Sequence, residues 1–111
     1  MHAQPGDDET FLVLEGAITL LADGRPRRLE AGDVGHVPRG VAHALRVEGP
    51  RARVLALHAP AGHERFFRQA GEVAEGTDLP PAPMGPPDMG RMLVAAAANG
   101  VEILGPPPDL A

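Results

Sequence analysis

Residues 32–43, GDVGHVPRGVAH, carry the spacing that decides how this chain folds. Five residues separate Gly32 from Pro38, one separates Pro38 from Gly40, and two separate Gly40 from His43. Glycine at 32 lets the backbone turn tightly into a short strand over residues 34–37, and Pro38 with Gly40 makes a fixed corner at its exit. The segments on either side are also short and rich in β-formers, broken by turn signals at regular spacing, as in a sandwich or barrel. Residues 10–15 (TFLVLE) end at Gly16, and residues 17–22 (AITLLA) run into Asp23-Gly24, a pair suited to a two-residue hairpin turn. Residues 25–29 are the expected returning strand, and residues 42–47 and 53–58 complete the β portion. The arginines at 25, 27 and 28 suit a solvated edge strand.

After Pro60 the period changes. His63, Phe66, Phe67 and Ala70 fall on one face of a short helix that Gly71 stops, and this face is expected to cover the barrel. Residues 76–90 hold five prolines and read as an extended tether lying over the surface. A second helix is expected from the Asp88 cap to Asn99-Gly100, with Met89, Met92, Leu93, Ala96 and Ala97 on its apolar face. Residues 101–104 (VEIL) can add a last strand. The expected division is a β-barrel core over 1–60 and a helical, Pro-rich extension over 61–111, packed as one domain.

Composition narrows the chemistry. With no cysteine among 111 residues, disulfides, thiolate sites and cysteine nucleophiles are excluded, so a metal must be held by nitrogen and oxygen. The net charge is -5, and the ten basic residues are scattered arginines, which is not the footprint of a nucleic-acid binder. No apolar run approaches the ~18 residues of a membrane span, and the acidic opening MHAQPGDDET is unlike a secretory signal, so a cytoplasmic protein is expected. Three Phe and no Tyr or Trp leave any pocket aliphatic.

The 32–43 spacing resembles the second motif of the cupin superfamily, G-x5-P-x-G-x2-H-x3-N, with Val47 where the family has Asn. Upstream, His2, Gln4, Glu9 and Gly16 resemble its first motif, with H-x-Q for H-x-H, four residues before Glu9 and six before Gly16. Fifteen residues lie between Gly16 and Gly32, as in compact microbial cupins. Together with DDETFLVLEG, APAGHERFF and GVEILGPP, the chain looks like bacterial cupins of the quercetin-dioxygenase-like kind. The resemblance implies an all-β fold, the double-stranded β-helix or jelly-roll barrel, with two short C-terminal helices. The family's opening Gly and the strands before it have no counterpart here. Either the reading frame extends upstream, or the barrel is short by one or two strands, leaving an edge that a partner subunit could cover.

In the cupins it resembles, three His and one Glu hold a divalent metal, often Fe, Mn, Ni, Cu or Zn. Carried over residue by residue, the ligand set is His2, Gln4, Glu9 and His43, with Gln4 a neutral, weaker donor than imidazole. His2 and Gln4 share a strand face, and the turn at residues 5–8 resets the register so that Glu9 faces inward with Phe11 and Val13. The leading expectation is a metal-dependent cupin, a small-molecule dioxygenase acting on an enol or polyphenol-like substrate, with Glu9 as ligand or general base. The alternatives are a metal-free or non-enzymatic cupin that binds a small ligand, and a sugar or small-acid isomerase. A homodimer is expected by analogy. His36 shares parity with Val34 and Pro38 and is a candidate barrel-lining residue, with a structural histidine the favoured alternative; His58 can point either way, and His36, His58 and His63 have no partner at ligand spacing in the sequence.

Overall fold

The structure is a computed structural model describing residues 1–79 and 85–106. Its elements are β1 (His2–Ala3), β2 (Asp8–Ala22), β3 (Arg25–Glu30), β4 (Val34–Val37), β5 (His43–Ala59), α1 (Glu64–Ala70), α2 (Met89–Ala98) and β6 (Glu102–Ile103). The middle of the Pro-rich tether and the end of the tail lie outside the described residues. All strand pairings are antiparallel, in the order β3-β2-β5-β1-β6, with β4 also on β2. The result is the expected jelly-roll β fold with two helices.

Asp23 and Gly24 take φ of 51° and 71°, the geometry of the tight hairpin between β2 and β3. β2 is continuous where two strands were expected. Its first part carries β4 along one edge (Leu12↔Val34) and its second part carries β3 on the same edge (Leu20↔Arg27), while β5 runs along the whole of its other edge. Register shifts between Val13, Glu15 and Ala17 let the strand bend. Phe11 and Val13 before the bend and Ile18 and Leu20 after it then meet in one core with Leu29 and Val37. The segments expected at 42–47 and 53–58 likewise merge into β5.

β3, bearing Arg25, Pro26, Arg27 and Arg28, is the charged edge expected from its sequence. The outer face of the β2–β4–β5 sheet is apolar instead: Leu14, Val34, Leu55 and Leu57 are all exposed there. No helix among the described residues is long and apolar enough to cross a membrane.

The helices hold each other. Asp88 caps α2 by accepting from the Arg91 backbone N–H, as expected, and Arg91 turns back to donate to the carbonyls of Gln69 and Gly71 beyond the end of α1. The buried residues of α2 are Ala95 and Ala96, whereas Leu93 is 50% exposed and Ala97 is also exposed. The expected face is therefore rotated, because small alanines allow the close approach that the longer Leu93 would prevent.

Gly16 shows why the first motif ends in glycine. It has φ of +72°, and a Cβ there would collide with the Arg51 carbonyl oxygen and lie 3.1 Å from Ala52 Cα. Gly16→Ala is therefore expected to lower stability by about 1–3 kcal/mol, read as a reduced denaturant midpoint with an unchanged m-value.

Candidate metal centre

His2 reaches the interior because β1 is held on both sides. His2 pairs with His43 of β5 and with Ile103 of β6, and the Leu104 N–H donates to the Met1 carbonyl at 3.0 Å. The first motif thus has an ordered strand, built partly from the last described segment of the chain. The second motif docks on the first: the Gly40 N–H donates to the Gln4 carbonyl, and the Arg39 N–H to an Asp8 carboxylate oxygen, both at 3.0 Å.

Three of the four expected ligands, His2, Glu9 and His43, converge. Glu9, Gln4 and His43 are buried and His2 is half-buried, and one ligand atom each from His2, Glu9 and His43 lies within 4.8 Å of the others. The His2 and His43 rings meet edge to face with centroids 4.4 Å apart. His43 Nδ1 lies 2.9 Å from the Val41 carbonyl, which can only accept, so this nitrogen carries the proton and donates. Nε2 then points at Glu9 Oε2, 2.9 Å away. A neutral His43 would set a lone pair against a carboxylate there, so a cation, either a proton or a metal ion, must satisfy the contact. Gln4 is 2% exposed; its Nε2 lies 3.2 Å from His63 Nδ1, and its Oε1 has no hydrogen-bond partner among the described residues. Leaving such an acceptor unmet costs about 1–3 kcal/mol. The two imidazoles of His2 and His43 and the carboxylate of Glu9 are a donor set that fits a divalent transition metal.

The histidines differ in charge preference. Burial, then the neighbouring His43, pushes His2 down to about 4, so it is neutral near pH 7. Burial pushes Glu9 up, but the hydrogen bond from His43 and the charges of His58 and His43 outweigh it, and Glu9 ends below 4.5. Burial likewise pushes His43 down, but its bonds to Glu9 and Val41 prevail and hold it above 6.5.

Three histidines depart from expectation. His36 does not line the barrel: it is exposed and hydrogen-bonds Thr10 Oγ1 at 2.9 Å on the outer face. His58 and His63 have the partners their spacing hid. His58 sits opposite Glu9 in the sheet, with Nε2 3.2 Å from Glu9 Oε1 and Nδ1 2.9 Å from Asp7 Oδ2. His63 stacks on the His58 ring with centroids 4.0 Å apart. Of the expected covering face, Phe67 is 63% exposed, so it covers little. Counting inward positions along β5 would have found His58 only with the register to β2 in hand. A hollow of about 700 Å³ lined by residues such as Glu15, Arg28 and Glu48 contains none of the expected ligands. Converging donor atoms, rather than open volume, mark the site.

Comparison with known proteins agrees with this geometry. A family model described as "Cupin domain" matches residues 1–60. The quercetin 2,3-dioxygenase of Bacillus subtilis (strain 168) is 36% identical over 82 residues, covering 74% of this chain and 24% of the relative. An uncharacterized protein of Aquifex aeolicus (strain VF5) is 32% identical over 60 residues, covering 54% of this chain and 50% of its own. The chain therefore spans at most half the length of these two relatives. Among solved structures, KdgF from Halomonas sp. aligns with a TM-score of 0.54 at 26% identity, covering 58% of this chain and 59% of that one.

The Glu9–His43 pair has a defined pH signature in metal-free protein. His43, held above 6.5, contributes stability fully below that pH and loses it as pH rises through its raised value. Glu9, held below 4.5, contributes above 4.5 and loses it as pH falls. The stability difference between the native chain and Glu9→Gln should therefore be largest between pH 4.5 and 6.5. NMR titration of the His43 ring in Glu9→Gln should show its pKa lowered.

Proposed function

The chain belongs to the cupin domain family, and on that premise we propose that it holds a divalent transition metal on His2, Glu9 and His43 and acts on a small molecule. The observation that carries this reading is the 2.9 Å contact of His43 Nε2 with Glu9, with Nδ1 already committed to the Val41 carbonyl. Fe, Mn, Ni, Cu and Zn all suit the donor set. When bound, such an ion supplies Lewis acidity and a template for a substrate oxygen.

The chain's own residues supply the rest. Val41 fixes the His43 ring so that Nε2 faces the site, and His2 stays neutral near pH 7 because its pKa is about 4. With the ion on the two imidazoles, the Glu9 carboxylate is the base available to an enol hydroxyl. Leu45 and Val47 follow His43 on the same face of β5, 41% and 45% exposed, and form an aliphatic wall for an apolar substrate. Similarity to the Bacillus subtilis quercetin 2,3-dioxygenase supports oxygenation of an enol or polyphenol-like substrate as the reaction.

A second reading is a metal-free cupin that binds a small ligand. It is favoured by the direct Glu9–His43 contact, which a proton alone satisfies, and by Val47 where the family has a polar Asn. The exposed face of Leu14, Val34, Leu55 and Leu57 supports association with a second copy in either case.

Purified protein is expected to carry a divalent metal by elemental analysis, with affinity lowered about 100-fold or more in His43→Ala. Substoichiometric metal that no added divalent ion restores would reject the metal reading. Oxygen consumption with quercetin as probe, absent in His43→Ala, would support the dioxygenase; ligand binding unchanged by chelators would support the metal-free reading. Light scattering at micromolar concentration should give twice the 11.6 kDa chain mass.

A further inference from the structure

A second group of donors lies on the far side of Glu9. Asp7 stands just before β2, His58 near the end of β5 and His63 at the start of α1, and each offers an atom within 4.8 Å of the other two. The Glu9 carboxylate divides its oxygens between the two groups, Oε2 toward His43 Nε2 at 2.9 Å and Oε1 toward His58 Nε2 at 3.2 Å. His58 therefore has a carboxylate oxygen at each ring nitrogen, since Nδ1 is 2.9 Å from Asp7 Oδ2. A neutral imidazole has one N–H and one lone pair. If Nε2–H donates to Glu9, the Nδ1 lone pair faces the Asp7 carboxylate, and a cation, either a proton or a metal ion, satisfies the contact. An imidazole that gives one N–H to a carboxylate and turns its other nitrogen to a cation is the usual arrangement of a metal-binding histidine.

His63 completes the set. Its ring stacks on His58 at 4.0 Å and 13°, and the Gln4 amide nitrogen lies 3.2 Å from its Nδ1 and 3.4 Å from its Nε2. The three elements are held independently of any ion: Glu9 and His58 are register partners, and Arg91 clamps the end of α1 to α2. A cleft of about 280 Å³ bounded by Asp7, Gly62, His63, Arg65 and Asn99 opens the group to solvent.

We propose that Asp7, His58 and His63 form a second divalent transition-metal site, linked to the first through the shared Glu9 carboxylate. Two imidazoles and one carboxylate make it the chemical counterpart of His2, His43 and Glu9, suited to Zn²⁺ or Mn²⁺ rather than to the all-oxygen preference of Ca²⁺. The chain then takes up two ions, and the outer one keeps positions open toward the cleft.

The test is equilibrium dialysis of chelator-stripped full chain against Zn²⁺, with bound metal counted per chain. Two ions are expected for the native sequence, and one in each of Asp7→Asn, His63→Ala and His43→Ala. Asp7→Asn keeps the side-chain shape, and far-UV circular dichroism with thermal melting checks that each variant folds. One ion that survives Asp7→Asn and His63→Ala but is lost in His43→Ala would overturn the inference and leave the inner centre intact. One ion that survives His43→Ala but is lost in the other two would support the outer site and reject the inner one. A single ion lost in all three means one shared centre and overturns the inference, as does the absence of any bound ion.

Discussion

A β-strand turns alternate side chains to opposite faces, so a long strand that bends around a core must break that alternation once. In β2 the break falls between Val13 and Ala17, where the pairing with β5 shifts register. Before it, odd-numbered Glu9, Phe11 and Val13 are buried; after it, even-numbered Ile18 and Leu20 are. Gly16, with its positive φ against the Arg51 and Ala52 backbone, is the residue that lets the two halves meet. One strand thus lines two walls of the barrel and gives β3 and β4 separate berths on the same edge. The same alternation, counted back from Val13, turns Glu9 inward, where it meets His43 and His58.

Much of this was legible in the residues. The turn at Asp23-Gly24, the charged edge at Arg25–Glu30 and the inward parity of Glu9 follow from local rules of backbone and side-chain direction. The spacing of Gly32, Pro38, Gly40 and His43 was enough to anticipate the family. What was hidden depends on pairing between distant segments. His58 lies 49 positions after Glu9, yet it faces it across the sheet. His63 reaches the same place only because α1 is clamped by Arg91 on α2, a contact with no local signature. His36 was left between two readings for a related reason: strand parity gives two faces but does not say which one is interior, and Thr10 holds it outside. The buried face of α2 was set by how closely Ala95 and Ala96 can approach their neighbours rather than by which residues are most apolar.

Electrostatically, the interior end of the barrel is a chain of bases and acids: His2, His43, Glu9, His58 and Asp7, each beside the next. Few buried ionisable groups are tolerated in a small core unless each has a partner of opposite character. Here Glu9 stands between His43 and His58, and the neutral amide of Gln4 adds no charge to balance. A histidine at position 4 would have brought one more base beside His63. The glutamine keeps a donor toward His63 and holds its own oxygen in reserve.

The pairing of β1 with β6 places the residues around Ile103 in control of His2. The order of synthesis gives this a consequence in time. His2 is made before Glu9 and His43, and the strand that steadies β1 emerges only after both helices. Until then His2 has one neighbouring strand instead of two. The cluster is therefore assembled late, so a nascent or C-terminally clipped chain would carry His2, Glu9 and His43 and still lack their arrangement.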